Sequence, residues 1–182
     1  MKLIFLDIDG VLNYEGYERF TRSGTRFVDP VLIKRLKKII DRTGAKVVLS
    51  STWRRGIYDM LESISLPDGI ITFGTELFAD CTALKNIRLP KCLRYIPYGT
   101  FYDCKSLEVV TLPESVEIIG KNVFHGCTAL KEIAIPPKVE QLDELTFYGC
   151  TSLKRIYVSE KLSYLKKSAF MNCPSFKEII FY

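Results

Sequence analysis

The sequence predicts an α/β chain in two parts, a small parallel strand-helix-strand unit over residues 1–60 and a solenoid of 23-residue coils over residues 61–182. Three observations predict it. Cys81, Cys104, Cys127, Cys150 and Cys173 recur every 23 residues. Phe78, Phe101, Phe124, Phe147 and Phe170 stand three residues before them, and Leu84, Leu107, Leu130, Leu153 and Phe176 three after. Ahead of the repeat, two short apolar runs flank a segment of helical periodicity. A fixed period of this length marks units that bury their apolar faces only by stacking on one another.

The first apolar run, Lys2 to Leu6, reads as a strand. Asp29 and Pro30 then supply a helix cap and a first-turn proline, Val31, Leu32, Leu36, Ile39 and Ile40 keep helical spacing, and Gly44 ends the helix. Ala45 to Leu49 is the second strand. A right-handed crossover makes the two strands parallel and brings Asp7, Asp9 and Ser50 toward their C-terminal ends, where ligands bind in such sheets.

Residues 53–66 admit two readings. Leu61 to Leu66 falls over Leu84 to Leu89 in the 23-residue register and starts the solenoid. Alternatively, Trp53 to Leu66 is an amphipathic helix with Ile57, Met60, Leu61 and Ile64 on one face and Ser51 or Thr52 as its cap.

Within each coil, segments such as Leu107-Glu-Val-Val-Thr-Leu112 are apolar at positions one, four and six. The last two of these alternate as a strand requires, and Pro90, Pro113 and Pro136 end the strand by removing a ladder donor. The returning half, as in Val116 to Phe124, sends further apolar residues to the same interior. Outward strand positions carry Arg88, Thr111, Ala134 and Tyr157 in one column and Glu132 and Arg155 in the next; this mixed surface is the expected protein-binding face. With neither a basic stripe nor an aromatic ladder, it gives no support to nucleic-acid binding.

The column cysteines read as small buried apolar residues and Cys92 as an exposed one, with thiols persisting in a reducing compartment. His125, the only histidine, shares its place with Ala79, Tyr102, Tyr148 and Met171 and reads as a variable corner residue. The chain reaches Tyr182 within a strand, and an open edge there invites pairing with a second copy as a homodimer.

Composition narrows the setting. Hydrophobic residues make up 47%, enough for a folded core, yet no run approaches the roughly 20 residues that span a bilayer. No membrane partner is expected, and Met1 to Leu6 does not read as a signal peptide, so a cytoplasmic location is expected. Residues 1–60 hold 12 Lys+Arg against 7 Asp+Glu while residues 61–182 hold 14 of each, so the whole net charge of +5 lies at the front. That bias suits a phosphate-bearing ligand.

Phe124-His-Gly-Cys-Thr-Ala-Leu-Lys-Glu-Ile-Ala-Ile-Pro136 resembles BspA-type leucine-rich repeats, which implies an interaction module. Phe5-Leu-Asp-Ile-Asp-Gly-Val-Leu-Asn13, with Val48-Leu-Ser-Ser-Thr-Trp-Arg54, resembles haloacid dehalogenase-like (HAD) phosphohydrolases. That second resemblance implies Asp7 as a nucleophile forming an aspartyl-phosphate and Asp9 as the acid that protonates the leaving oxygen. It implies Ser50, Ser51 and Arg54 as phosphate ligands, and Mg²⁺ held at Asp7 and Asp9. The substrate it implies is a phosphorylated small molecule or a nucleic-acid end. It stops before that family's lysine and final acidic motifs, so Mg²⁺ binds weakly or not at all, and the unit serves the solenoid as an N-terminal cap.

Overall fold

Register between equivalent residues sets the architecture. The computed structural model describes residues 3–6, 46–49, 62–66 and 68–182. Its first two strands, β1 (Leu3–Leu6) and β2 (Lys46–Leu49), pair in parallel with Leu6 opposite Leu49. The helix expected over residues 29–44 lies outside the described residues.

The repeat begins at β3 (Ser63–Ser65), followed by β4 (Ile70–Phe73), β5 (Asn86–Arg88), β6 (Tyr95–Ile96) and β7 (Val109–Thr111). The later coils add β8 (Ile118–Ile119), β9 (Glu132–Ala134), β10 (Gln141–Leu142), β11 (Arg155–Val158), β12 (Tyr164–Leu165) and β13 (Glu178–Phe181). The longer strand of each coil forms one parallel column, as β3-β5-β7 and β13-β11-β9. The short return strands form a second, as β6-β8 and β10-β12. Because β3 pairs with β5 with Ile64 opposite Ile87, residues 62–66 are strand and flanking coil. The helix reading fails over that stretch, where stacking on the next coil outweighs local periodicity.

Proline does more than stop the strands. The carbonyls of Pro90, Pro113 and Pro136 accept from the amides of Leu93, Val116 and Val139 at 3.2, 3.0 and 3.0 Å, so each proline also opens the turn into the return half. Where Ser159 stands instead, the same turn closes at Leu162, but β11 runs on to Val158. Four of the coils use two left-handed residues and the last uses one. Gly99 and Asn122 fill the first column at φ +59° and +58°, whereas Glu76 and Leu145 fill it at +54° and +57° against their steric preference. Asp80, Asp103, Gly126, Gly149 and Asn172 fill the second.

The interior is a stack of columns. Phe101, Phe124 and Phe147 are fully buried, and the Phe78–Phe101–Phe124–Phe147–Phe170 rings lie nearly parallel with centroids 5.4–5.7 Å apart. This is the offset-stacked arrangement that aromatic quadrupoles favour.

The two parts of the chain share a strand. In the return column β4 lies beside β6, and on its other side it pairs in parallel with β2, giving the sheet order β1-β2-β4. The turn before β4 is clasped to the next coil. Asp68 accepts both from the Arg88 guanidinium, at 3.0 and 3.2 Å, and from the Lys91 amide at 3.0 Å. That amide bond first, and Arg88 second, hold the Asp68 carboxyl below its usual range. At the other end β13 pairs with β11 alone, so its far edge has no partner among the described residues. The Tyr182 hydroxyl reaches back to the Ile135 carbonyl at 2.7 Å. Among the described residues no helix is long and apolar enough to cross a membrane.

Candidate functional site

Strand pleat decides what the outward column presents. Each central residue of the column, Ile87, Val110, Ile133 and Ile156, is buried, which turns its neighbours outward. Asn86, Arg88, Val109, Thr111, Glu132 and Ala134 are exposed; Arg155 and Tyr157 are half-buried. Register brings Arg88 opposite Thr111, Arg155 opposite Glu132, and Tyr157 opposite Ala134.

Several of these side chains already have partners within the chain. Arg88 is bound to Asp68 and to the Leu66 carbonyl at 3.1 Å. Arg155 lies 3.6 Å from Glu178, and the Tyr157 hydroxyl donates to Glu132 at 3.4 Å. Thr111, Ala134 and Val109 are the open part of this face, and Val109 is 59% exposed.

A second outward column was readable at the same period. Tyr95, Ile118 and Tyr164 on the return strands are 39%, 50% and 48% exposed, with Gln141 between the last two. Tyr98 adds an aromatic beside them, and its hydroxyl accepts from Asn122.

The cysteines are polar participants. Four of the five column thiols donate to the phenylalanine carbonyl one coil back: Cys104 to Phe78 at 3.0 Å, Cys127 to Phe101 at 3.1 Å, Cys150 to Phe124 at 3.0 Å and Cys173 to Phe147 at 2.9 Å. The same carbonyls accept the amide three residues on, so both lone pairs of a buried oxygen are used. A sulfur is therefore better than an equally small hydrocarbon at this corner. Burial pushes the Cys127 and Cys150 thiols up, which makes them poor nucleophiles. Cys92, expected to be exposed, is half-buried; its thiol lies 2.6 and 3.2 Å from the carbonyls of Asp68 and Ile70 in the preceding coil, either of which accepts its single proton. Ser115 occupies the same place one coil later and bonds Lys91 and Leu93 in the same way, so a small donor fits where the lysines of later coils turn outward.

His125 is more constrained than a variable corner residue. Its ring lies between Tyr102 and Tyr148, with centroids at 4.3 and 4.7 Å, and Nδ1 is buried 4.0 Å from Asp103. Burial lowers its pKa, and Asp103 opposes that shift.

Asp7, Asp9, Ser50, Ser51 and Arg54 lie outside the described residues. What the structure supplies near them is the parallel pairing of the strands that precede Asp7 and Ser50 in the chain. Among the described residues no three His, Cys, Asp or Glu side chains converge as a metal site, so a fit to Mg²⁺ is not provided by them. Glu144, which the repeat places at the surface beside Asp143, has lysine partners. Glu144 pairs with Lys166 and, at 3.7 Å, with Lys121, and the Lys166 bond chiefly lowers its pKa.

Parallel coils with leucine-type columns and a proline-ended strand define a leucine-rich-repeat solenoid. Residues 58–179 match the BspA type leucine rich repeat region in six copies, and the chain belongs to that family. Residues 3–85 match the HAD domain in Swiss Army Knife RNA repair proteins, so a HAD-type segment is fused to the repeats and overlaps their first coil. Among solved structures, the chain is similar to the T. pallidum leucine rich repeat protein TpLRR, at 27% identity and TM-score 0.65 over 76% of this chain and 64% of that one. It is also similar to a leucine-rich repeat protein from Bacteroides ovatus, at 26% identity and TM-score 0.56 over 76% of this chain and 38% of that one. The pneumococcal vaccine antigen PcpA is similar at 25% identity and TM-score 0.52, over 67% and 36%. The chain thus spans less than two thirds of the length of these relatives. The comparison with curated proteins returned no match.

Proposed function

We propose that this chain is a protein-binding module whose outward strand column engages its partner, with residues 1–60 as an N-terminal cap on the solenoid of residues 61–182. One contrast carries the cap reading. At the front of the stack Leu66, Ile70, Leu77 and Phe78 are 6%, 2%, 1% and 2% exposed, although no coil precedes them among the described residues. At the back, Phe170, Phe176 and Ile179 are only partly buried. The pairing of β2 with β4 supports the same reading. Six free thiols suit a reducing compartment such as the cytoplasm, and the far edge of β13 suits pairing with a second copy.

Affinity capture from a cell extract tests the binding face. A partner held by the natural chain should be weakened at least about tenfold by Thr111→Arg with Ala134→Arg, since a charge buried in an interface without its counterpart costs well over 1.4 kcal/mol. Ile118→Arg, on the return column, should leave it bound. Partners indifferent to Thr111 and Ala134, or lost only with Ile118→Arg, would place the function elsewhere.

The match over residues 3–85 favours a second reading, a phosphohydrolase. In it the Asp7 carboxylate displaces an alkoxide from phosphorus, Asp9 protonates that alkoxide, and water then cleaves the acyl phosphate. Ser50, Ser51 and Arg54 bind phosphate oxygens. Mg²⁺ at Asp7 and Asp9 would supply charge neutralisation, and the substrate is a small phosphoester or a nucleic-acid end. Asp7→Asn should abolish turnover of a phosphoester panel assayed with Mg²⁺. Equal turnover by the two proteins, or none by the natural chain, removes this reading.

A further inference from the structure

One column of side chains breaks its own pattern. The residue four after each column cysteine, traced one coil back as well, gives Glu62, Lys85, Glu108, Lys131, Lys154 and Lys177. Backbone bonds hold these positions in register: the amides of Lys85, Glu108, Lys154 and Lys177 each donate to the carbonyl one coil back, at 2.8–3.3 Å. In the first four coils the signs alternate and pair, Lys85 with Glu62 at 3.1 Å and Lys131 with Glu108 at 3.2 Å. Then the alternation stops.

Lys154 and Lys177 follow Lys131 with no further acid in the column after Glu108. Stacked coils repeat at roughly 4.8 Å, so the exposed Lys154 and Lys177 stand on adjacent coils as like charges, while Lys131 keeps Glu108 as its partner. The acids next to Lys131 and Lys177 in sequence are engaged elsewhere, Glu132 with Tyr157 and Glu178 with Arg155. A glutamate at position 154 would continue the alternation and add an ion pair. The chain forgoes that stabilisation while it places a positive strip along the margin of the face assigned above to protein binding.

We infer that this strip, Lys131, Lys154 and Lys177, receives an extended acidic segment of a partner protein. The inference rests on the reading of the strand column as a protein-binding face, and it names the chemistry of what that face accepts. An extended chain places alternate side chains about 6.6–6.8 Å apart on one side, so two or three carboxylates of such a segment span the three lysines. The outward strand residues of these coils are Ala134, Tyr157 and Ile180, a single aromatic among them. The stacking platform that single-stranded nucleic acid needs is therefore missing.

Fluorescently labelled deca-glutamate is the probe, titrated against the full chain at about 0.15 M salt, where the Debye length is about 8 Å. The double variant Lys154→Glu with Lys177→Glu should bind it about tenfold more weakly or worse, as expected for removing and reversing steering charges. A charge-matched control, Lys138→Glu with Lys161→Glu, alters two exposed lysines of another column and should bind within about twofold of the natural chain, because exposed charges beyond a Debye length are screened. Lys154→Glu alone should raise the thermal midpoint by about 1–4 °C, since it adds an exposed ion pair. Equal weakening by the control pair overturns the inference, as does a lowered midpoint in Lys154→Glu. Binding of labelled oligouridylate in place of the peptide overturns it too. If neither probe binds, the acidic partner is wrong, while the strand face itself is still judged by the Thr111 and Ala134 experiment.

Discussion

A chain lacking residues 1–55 is expected to lose its solubility and its cooperative unfolding transition. The truncation removes β1 and β2, and with β2 goes the parallel ladder along β4. The row of amide and carbonyl groups on that side of Ile70–Phe73 is then an unpaired edge in an apolar segment, a template for pairing between chains. Leu66, Ile70, Leu77 and Phe78 lose at the same time whatever covers them from the N-terminal side. A buried leucine, isoleucine or phenylalanine contributes about 1.5–3 kcal/mol, so exposing even three of them rivals the whole stability of a small domain. Light scattering and urea titration of the truncated chain check this. A rescue variant separates the two causes: Ile71→Lys in the truncated chain charges the edge without restoring the core, and it should recover solubility but not the lost stability. A soluble truncated monomer with the midpoint of the full chain would sink the cap reading, whatever the repeats bind.

The sequence carried the repeat almost completely because the period is also the physical contact. A residue 23 positions on is its neighbour in the next coil, so phenylalanine, leucine and proline columns could be read as stacks before any coordinates existed. The left-handed columns were not read, since Glu76 and Leu145 in one, and Asp80 and Asp103 in the other, interrupt the glycine and asparagine that mark such positions. What escaped was interaction through backbone atoms. Nothing in Ile70–Phe73 distinguishes a return strand that pairs on one side from one that pairs on both, because parallel pairing with β2 uses only main-chain groups. The thiol bonds escaped for a related reason: a cysteine and a small hydrocarbon have the same periodicity, and only the position of the phenylalanine carbonyl explains the choice. Cys92 was misread because its counterparts Lys138 and Lys161 are exposed, whereas Ser115 was the better guide. For the phosphate site, motif spacing gave residue types and strand ends, but its assignment rests on side chains outside the described residues.

Phe124→Ala should be the most damaging single substitution within the repeats, and the shape of its unfolding curve should be as informative as its size. Phe124 is fully buried, with its ring between Phe101 at 5.5 Å and Phe147 at 5.4 Å. Truncating a buried phenylalanine costs about 3–5 kcal/mol, and each lost aromatic pair accounts for about 0.5–1.5 kcal/mol beyond simple burial. In a solenoid, stability is close to a sum of coil terms and nearest-neighbour terms, so a hole at the centre weakens both interfaces of one coil and uncouples those on either side. Urea unfolding followed by circular dichroism should then broaden or split, with the coils after Cys127 melting first because Phe170, Phe176 and Ile179 at that end are only partly buried. Phe170→Ala is the matched control. Its ring meets Phe147 at 5.5 Å and Phe176 at 4.3 Å, is only partly buried, and belongs to the last stacked corner. Its loss should cost less and leave one sharp transition at a lower midpoint. If both variants lost the same stability with equally sharp curves, the repeats would be folding as one indivisible core, and coil-by-coil coupling through the phenylalanine column would be wrong.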